Sequence, residues 1–261
     1  MTFSKNFSSA IFTFISAIFV ATFAFAQSGE VIEVTQPSLL VVDGERLALS
    51  IGDEVNVGDT ILTGKGAKAL VVFPDNTRIA VGPRSQLKID KLLFRNETTA
   101  RRFAVTAAKG TFRFLSGESP SQAYSVRTPI ATMGVRGTVF DFAVPTLENT
   151  DLVVYDGLVN FCRRGRSNCA RVPQGCQTVR MERETLTQPA TQAERREILD
   201  GSFPYASRQN LLRQDFHTST KDCEGDSSTP VAQIRLPSAD APVRTQSEND
   251  TPEPSFGNPA E

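Results

Sequence analysis

The chain has 261 residues, with 28 Lys or Arg against 29 Asp or Glu and a formal net charge of −1. So even a balance excludes the basic surface that grips nucleic acid or an anionic membrane by charge. The four cysteines, Cys162, Cys169, Cys176 and Cys223, are even in number and suit an oxidising compartment in which thiols pair.

The N-terminus carries one basic residue, Lys5, then an apolar run from Ala10 to Ala26 that ends in small residues around Ala24 and Ala26. A basic head, an apolar middle and an A-x-A end make a secretory signal, expected to span residues 1–26 with cleavage after Ala26. The rival reading, a membrane anchor, fits less well. The run is interrupted by Thr13, Ser16 and Thr22, is marginal in length for a span and lacks a basic flank after it. No cysteine lies at the cleavage site, so no lipid-anchored terminus and no membrane span after cleavage are expected. The mature chain is then exported, periplasmic or extracellular, and long enough for one sizeable core with appendages or two small domains.

From Val31 to about Met181, short runs rich in Val, Ile, Phe and Thr alternate with Gly, Pro, Asn and Asp, the texture of an all-β region. Candidate strands are Val31 to Val34, Ala69 to Phe73, Thr77 to Val81, Leu87 to Asp90, Arg102 to Thr106, Thr111 to Leu115, Tyr124 to Arg127, Thr138 to Val144, Leu152 to Tyr155 and Leu158 to Cys162. Alternation within them, as at Val139, Phe140, Phe142 and Val144, lets each strand bury one side. Pro74-Asp75-Asn76 and Asp156-Gly157 are read as hairpin turns. Residues 27–57 are expected to supply N-terminal strands that pack on a β domain over 58–181. The implied architecture is an antiparallel sandwich or a short β-solenoid.

Residues 182–223 lose the alternation and favour helix formers. Two short helices are expected, Thr191 to Leu199 and Ser207 to Phe216, with Thr191 as N-cap, Glu194 three residues on and Gly201 as the stop. Residues 224–261 are Ser, Pro, Asp, Glu and Thr with few large apolar groups. They cannot offset their ordering entropy and are read as a disordered tail.

Four cysteines allow three connectivities, which sequence does not choose between. The preferred pairing is Cys162 with Cys169 across a hairpin loop and Cys176 with Cys223 pinning the later segment to the sheet. A metal site is disfavoured, because the six-residue spacers lack the C-x-x-C geometry and only His217 could help. No cofactor is expected.

Two segments rise above generic β sequence: Gly58-Asp59-Thr60-Ile61-Leu62-Thr63-Gly64 with the Pro74-Asp75-Asn76 turn after it, and Thr128-Pro129-Ile130-Ala131-Thr132-Met133-Gly134-Val135-Arg136-Gly137-Thr138. In this order, with Gly110 to Phe112 between them, they resemble the FecR family domain over roughly residues 58–160. The second segment reads physically as a corner between strands. Thr128 before Pro129 is forced extended, and Gly134 and Gly137 permit angles other residues resist. Arg136 sits between the glycines in what read as apolar surroundings. It is either a structural arginine whose charge is paired or one that binds an anion or a partner.

The resemblance implies a β domain outside the cytoplasm that contacts envelope proteins or ligands. In the family this domain commonly relays a receptor's state to a sigma factor through a membrane-spanning chain with a cytoplasmic anti-sigma segment. Only nine residues precede the apolar run here, so that relay is not carried over. No catalytic set emerges: a G-x-S-x-G elbow is lacking, the Gly58 to Gly64 spacing misses the phosphate-loop pattern, and paired cysteines deny a thiolate to His217. Asp141 and Asp156 read as solvated strand carboxylates. The expected function is a non-enzymatic interaction module acting on an unidentified envelope protein or glycan. The alternative is a structural envelope protein that binds polysaccharide or cell-wall components. Arg163, Arg164 and Arg166, with Arg171 nearby, are the candidate anion contacts. N-terminal sequencing of the exported protein is expected to read Gln27-Ser28-Gly29; a product that keeps Met1 would show an uncleaved anchor.

Overall fold

The computed structural model describes residues 28–165, 169–183, 185–224 and 233. The export segment, Arg166 and most of the tail 224–261 lie outside the described residues. Eight short strands come first: β1 (Gly29–Thr35), β2 (Ser38–Val42), β3 (Glu45–Ala48), β4 (Glu54–Val55), β5 (Thr60–Thr63), β6 (Lys68–Val72), β7 (Arg78–Val81) and β8 (Gln86–Phe94). Then come β9 (Ala100–Leu115), β10 (Tyr124–Arg127), β11 (Ala131–Thr146), β12 (Asn149–Arg163), β13 (Cys169–Pro173), β14 (Gln177–Met181) and β15 (Leu186–Thr187), followed by helices α1 (Gln192–Ser202) and α2 (Pro204–Ser207).

The three long strands β9, β11 and β12 each belong to two sheets. The first half of β9 pairs with β8 and, in parallel, with β10, while its second half pairs with β7 and β11. The first half of β12 pairs with β14 and its second half with β13. The first sheet therefore runs β3-β2-β5-β8-β9-β10-β11-β12-β13, and the second runs β4-β1-β6-β7-β9-β11-β12-β14-β15. Strands that pass from one sheet to another make the corners of such folds.

Each crossing is marked by a glycine with positive φ: Gly110 at +103°, Gly137 at +55° and Gly157 at +77°. The bend at Gly110 can be measured. Phe103 and Phe114 lie in the same strand, and eleven extended residues would separate them by about 36 Å. Their ring centroids are 6.0 Å apart, so β9 doubles back on itself. A side chain at Gly110 would meet Ser85, whose Oγ accepts the Thr111 N–H at 3.0 Å and fills the bend.

Between the two sheets lies one apolar core. Phe103, Phe112, Phe114, Phe140, Phe142 and Phe161 are fully buried in it, with Val31, Ile61, Ile79, Leu87, Val126 and Val159 from both sheets. Phe112 stacks on Phe142 at 4.8 Å and Phe114 packs on Phe140 at 5.3 Å, because those residues are directly opposite on β9 and β11. A core shared by two sheets is the sandwich arrangement. The all-β reading stands, although the β9–β10 pair is parallel.

Several local expectations are corrected. Arg102 to Thr106 and Thr111 to Leu115 are one strand, as are Leu152 to Tyr155 and Leu158 to Cys162, so Asp156-Gly157 is a bulge within β12 and not a hairpin turn. A glycine that permits a turn also permits a bulge, and composition alone does not separate the two. The Pro74-Asp75-Asn76 hairpin does join β6 to β7. Phe140, Phe142 and Val144 share the inner face of β11, while Val139 and Ala143 pack outward against the C-terminal segment, so both faces are buried. Thr191 caps α1 through the Glu194 N–H at 3.3 Å. Gly201 lies inside α1 and does not stop it, the helix closing at Phe203. Ser207 to Phe216 is broken into the end of α2 and two 3-10 turns, Gln209–Leu211 and Gln214–Phe216.

The crossings at Gly137 and Gly157 are nested, since a Cβ on Gly157 would lie 2.0 Å from the Gly137 carbonyl oxygen, whereas one on Gly137 would meet open space. Gly137→Ala is expected to cost about 1 kcal/mol, the ordinary penalty for positive φ. Gly157→Ala should cost more than about 3 kcal/mol, because backbone must move as well. Urea denaturation of both variants checks the ranking, and equal losses would contradict it.

Candidate functional site

The segment Thr128 to Thr138 begins as a turn and continues as strand. Thr128 is buried; its Oγ1 accepts the Ala131 N–H at 2.9 Å and hydrogen-bonds Thr150 Oγ1 at 2.8 Å, which fixes the turn at Pro129. Met133 and Val135 then point into the core. The corner expected between strands is thus inside β11, at the bulge between Arg136 and Val139. Gly134 is ordinary strand, and its missing Cβ would touch only Asn160 at 3.9 Å. Thr138 closes the bulge: its N–H donates to Ser116 Oγ at 2.8 Å and its carbonyl accepts the Ser116 N–H at 3.0 Å. Arg136 and Gly137 stand exposed at this crossing, which corrects the apolar setting expected for the arginine.

The most deeply buried arginine among the described residues is Arg113. It lies opposite Asp141 in the β9–β11 ladder and grips it with a two-pronged pair, Nε to Oδ1 at 2.7 Å and Nη2 to Oδ2 at 2.9 Å. Tyr155 donates its hydroxyl to Asp141 Oδ2 at 2.9 Å and sets its ring 5.1 Å from the guanidinium. The remaining prongs of Arg113 reach the C-terminal segment: Nη1 to Gln209 Oε1 at 3.0 Å and the Phe216 carbonyl at 3.3 Å, and Nη2 to the Tyr205 carbonyl at 3.2 Å. Burial, the largest influence on Arg113, disfavours its charge, yet the charge and hydrogen bonds of Asp141 with help from Tyr155 hold its pKa above the ordinary arginine value. Burial, then the Asp141 charge, push the Tyr155 and Tyr205 hydroxyls above their usual 10.

Asp141, read as a solvated strand carboxylate, is therefore fully buried; Asp156 is exposed as expected. Strand alternation does turn Arg113 and Asp141 away from the phenylalanine core, but the C-terminal segment closes over that outer face. A signal was present: Phe112-Arg113-Phe114 and Phe140-Asp141-Phe142 carry opposite charges at the same place in two Phe-x-Phe runs. Asp151 repeats the arrangement at the edge, paired with Arg180 at 2.6 Å and accepting the Ser202 hydroxyl at 2.6 Å.

The Pro74-Asp75-Asn76 turn holds a third polar knot. Asp75 Oδ2 accepts the hydroxyls of Ser119 at 2.6 Å and Tyr124 at 2.8 Å, and Oδ1 accepts the Thr77 N–H at 3.1 Å. These bonds tie the hairpin to the connection leading into β10, a structural role for that motif.

Cys162 and Cys169 are bridged, and they are also opposite residues of the β12–β13 ladder. Cys176 is bridged to Cys223, joining the entry to β14 with the end of the helical segment. Arg163 is half-buried and Arg164 and Arg171 are exposed at the β12–β13 hairpin. His217 contacts the Leu212 carbonyl through Nε2 at 3.0 Å. Among the described residues, no helix is long and apolar enough to cross a membrane, and no His, Cys, Asp and Glu group could hold a metal ion.

A two-sheet β fold with this motif at its crossing strand defines a class, and the family comparison agrees: residues 59–160 match the FecR protein family model. The matched stretch is about two-fifths of the chain and runs from β5 into β12. No curated protein matches the chain. Two crystal structures of a "putative anti-sigma factor" from Parabacteroides distasonis ATCC 8503 match at 17% identity and a TM-score of 0.40, covering 50% of this chain and 58% of that one. The match thus spans little more than half the length of that protein.

Arg113→Met strands a buried carboxylate and is expected to cost about 3–5 kcal/mol, whereas the double change Arg113→Met with Asp141→Leu should recover most of that loss. Equilibrium unfolding of the single and double variants checks this, and equal destabilisation would refute it. The tyrosines give a pH signature. A phenol whose folded pKa is raised keeps its contribution below its unfolded pKa and loses it as pH rises towards the folded value. Stability should therefore fall above about pH 10, where Tyr155 and Tyr205 ionise only on unfolding. The fall should be shallower in Tyr155→Phe, as read by melting temperature against pH.

Proposed function

We propose that the chain is an exported FecR-type interaction module, non-catalytic, that recognises an envelope protein through the corner bearing Arg136. The observation that carries this is the exposure of Arg136 and Gly137 within a motif whose other members are spent on packing. Thr128 and Thr138 hold backbone groups, and Met133 and Val135 fill the core. Arg136 has no ion pair or hydrogen bond from its side chain among the described residues, and a guanidinium meets a carboxylate or carbonyl of a partner with directional, two-pronged bonds. Two disulfides support a compartment outside the cytoplasm. Recognition by a rigid corner needs no large rearrangement, and Arg136 faces away from the core because it alternates with Met133 and Val135.

A second reading, binding of an anionic glycan, rests on the hairpin in which the Cys162–Cys169 bridge stands at the base of Arg163 and Arg164. Arg166 belongs to the same run of sequence. Salt-dependent retention on an anionic polysaccharide that disappears on replacing these arginines by Gln would favour it.

The deciding experiment places a photo-crosslinking residue at position 156, exposed on β12 at the same crossing, and compares capture from the native envelope fraction with capture from position 171. Arg136→Ala is expected to leave unfolding free energy within about 0.5 kcal/mol, as surface changes do, while abolishing the captured band. A large loss of stability in Arg136→Ala, or equal capture from both positions, would overturn the reading.

A further inference from the structure

Residues 192–224 lie over the outer face of the second sheet without joining it. The backbone hydrogen bonds within this stretch run to neighbours no more than four residues away, as in Phe203 to Leu199, Leu212 to Gln209 and Cys223 to Thr220. The segment is held instead by side chains. Phe203, Tyr205, Leu212 and Phe216 are buried against Leu70, Ala80, Leu115, Val153 and Tyr155, and Arg113 holds three of its acceptors. Lys68 and Arg78 from the same face reach the carbonyls of Leu211 and Asp215. One covalent tie, Cys176–Cys223, closes the far end.

The face beneath does not need this cover to keep its form. Arg113 and Asp141 are ladder partners on β9 and β11, so the sheet itself sets their pairing. Uncovered, the face offers a preformed guanidinium with Nη1 and Nη2 directed at carbonyl oxygens, flanked by Tyr155 and aliphatic side chains. Arginine and tyrosine set in apolar surroundings are the residues on which protein interfaces concentrate their energy.

We propose that this outer face is a docking face for a protein segment that presents carbonyl oxygens between aromatic anchors, and that residues 192–224 occupy it as an intramolecular strap latched by Cys176–Cys223. A dithiol reductant is the unlatching agent. Cys223 is half-buried and lines a cavity of about 380 Å³ with Leu199, Ala206 and Thr220, which gives access to its sulfur. A thiolate of the reductant attacks Cys223 Sγ, and Cys176 departs as a thiolate that takes up a proton. The second thiol of the reductant then displaces Cys223, so two electrons pass to the chain and the reductant leaves as a disulfide. The strap rests on none of the corner reading above, while the idea that a partner follows it onto the face does.

Hydrogen exchange of the full chain against Cys176→Ser/Cys223→Ser tests the latch. Exchange in residues 192–224 is expected to quicken at least ten-fold in the variant, with β9, β11 and β12 unchanged and with Cys162→Ser/Cys169→Ser behaving as wild type. No quickening, or quickening of the strands together with the segment, would overturn the strap; a variant that fails to fold gives the second outcome. A fluorescent peptide of residues 192–224 carrying Cys223→Ser tests the docking face. Saturable binding to the double-serine variant and none to the wild type is expected, and no binding to either would overturn it. Crosslinking from position 156 in both forms reads the corner separately, so that either idea can fail alone.

Discussion

Three strands of this protein have to serve two sheets, and nearly every other feature follows from how they turn. β9, β11 and β12 bend at Gly110, Gly137 and Gly157, where the backbone takes angles that side chains with a Cβ resist. Because the strands bend together, the phenylalanines on either side of the bends fall into one core. Phe103 meets Phe73, Phe114 and Tyr124 from three directions, the arrangement of edge-to-face and tilted rings that aromatic clusters prefer. The family motif is one of these crossings. Its glycine supplies the bend, its threonines bind the backbone at both ends, and its arginine faces outward by alternation with Met133 and Val135.

The outer face of the second sheet is the other consequence. A strand in the middle of a sandwich sheet ordinarily turns its second side to water, and Arg113 and Asp141 occupy the positions where water would be expected. The C-terminal segment replaces that water. Burying a charged pair is costly unless every prong is met. Here Asp141 accepts from Arg113 and Tyr155, while Arg113 spends its other donors on Gln209, Tyr205 and Phe216. The pair thus gives the segment a directional anchor, and the segment's acceptors stand in for the solvent the pair would otherwise face.

How much of this was legible in the sequence depends on the range over which each feature is decided. The Pro74-Asp75-Asn76 hairpin, the Thr191 cap and the existence of most strands are settled within a few residues, and the sequence carries them. Strand continuity is not, because Gly157 looks the same whether the chain reverses there or merely kinks; only the Gly137 carbonyl pressed against it makes the difference. The exposure of Arg136 and the burial of Asp141 were both read the other way round. The burial of Asp141 is fixed by a segment beginning some fifty residues after it, and the outward face of Arg136 by alternation with Met133 and Val135 once those two are placed in the core. Within 27–57, strands β2 to β4 were expected only as undelimited strands, and β5 was missed, because turn residues such as Asp43-Gly44 and Asn56 to Asp59 interrupt them every few positions.

The order of the strands along the chain also sets the order in which the fold can assemble. β1 to β8 build two separate arms, β6-β7 beside β1 and β4 on one side, and β2, β3 and β5 beside β8 on the other. Among the described residues, strand pairing joins the two arms only through β9, the strand common to both. In a chain growing from the N-terminus, residues 29–94 thus form margins of a structure whose centre is still missing. Closure awaits β11 and β12, so the exposed strand edges of a half-made chain are built into the topology, and folding late in synthesis follows from connectivity rather than from any single weak contact.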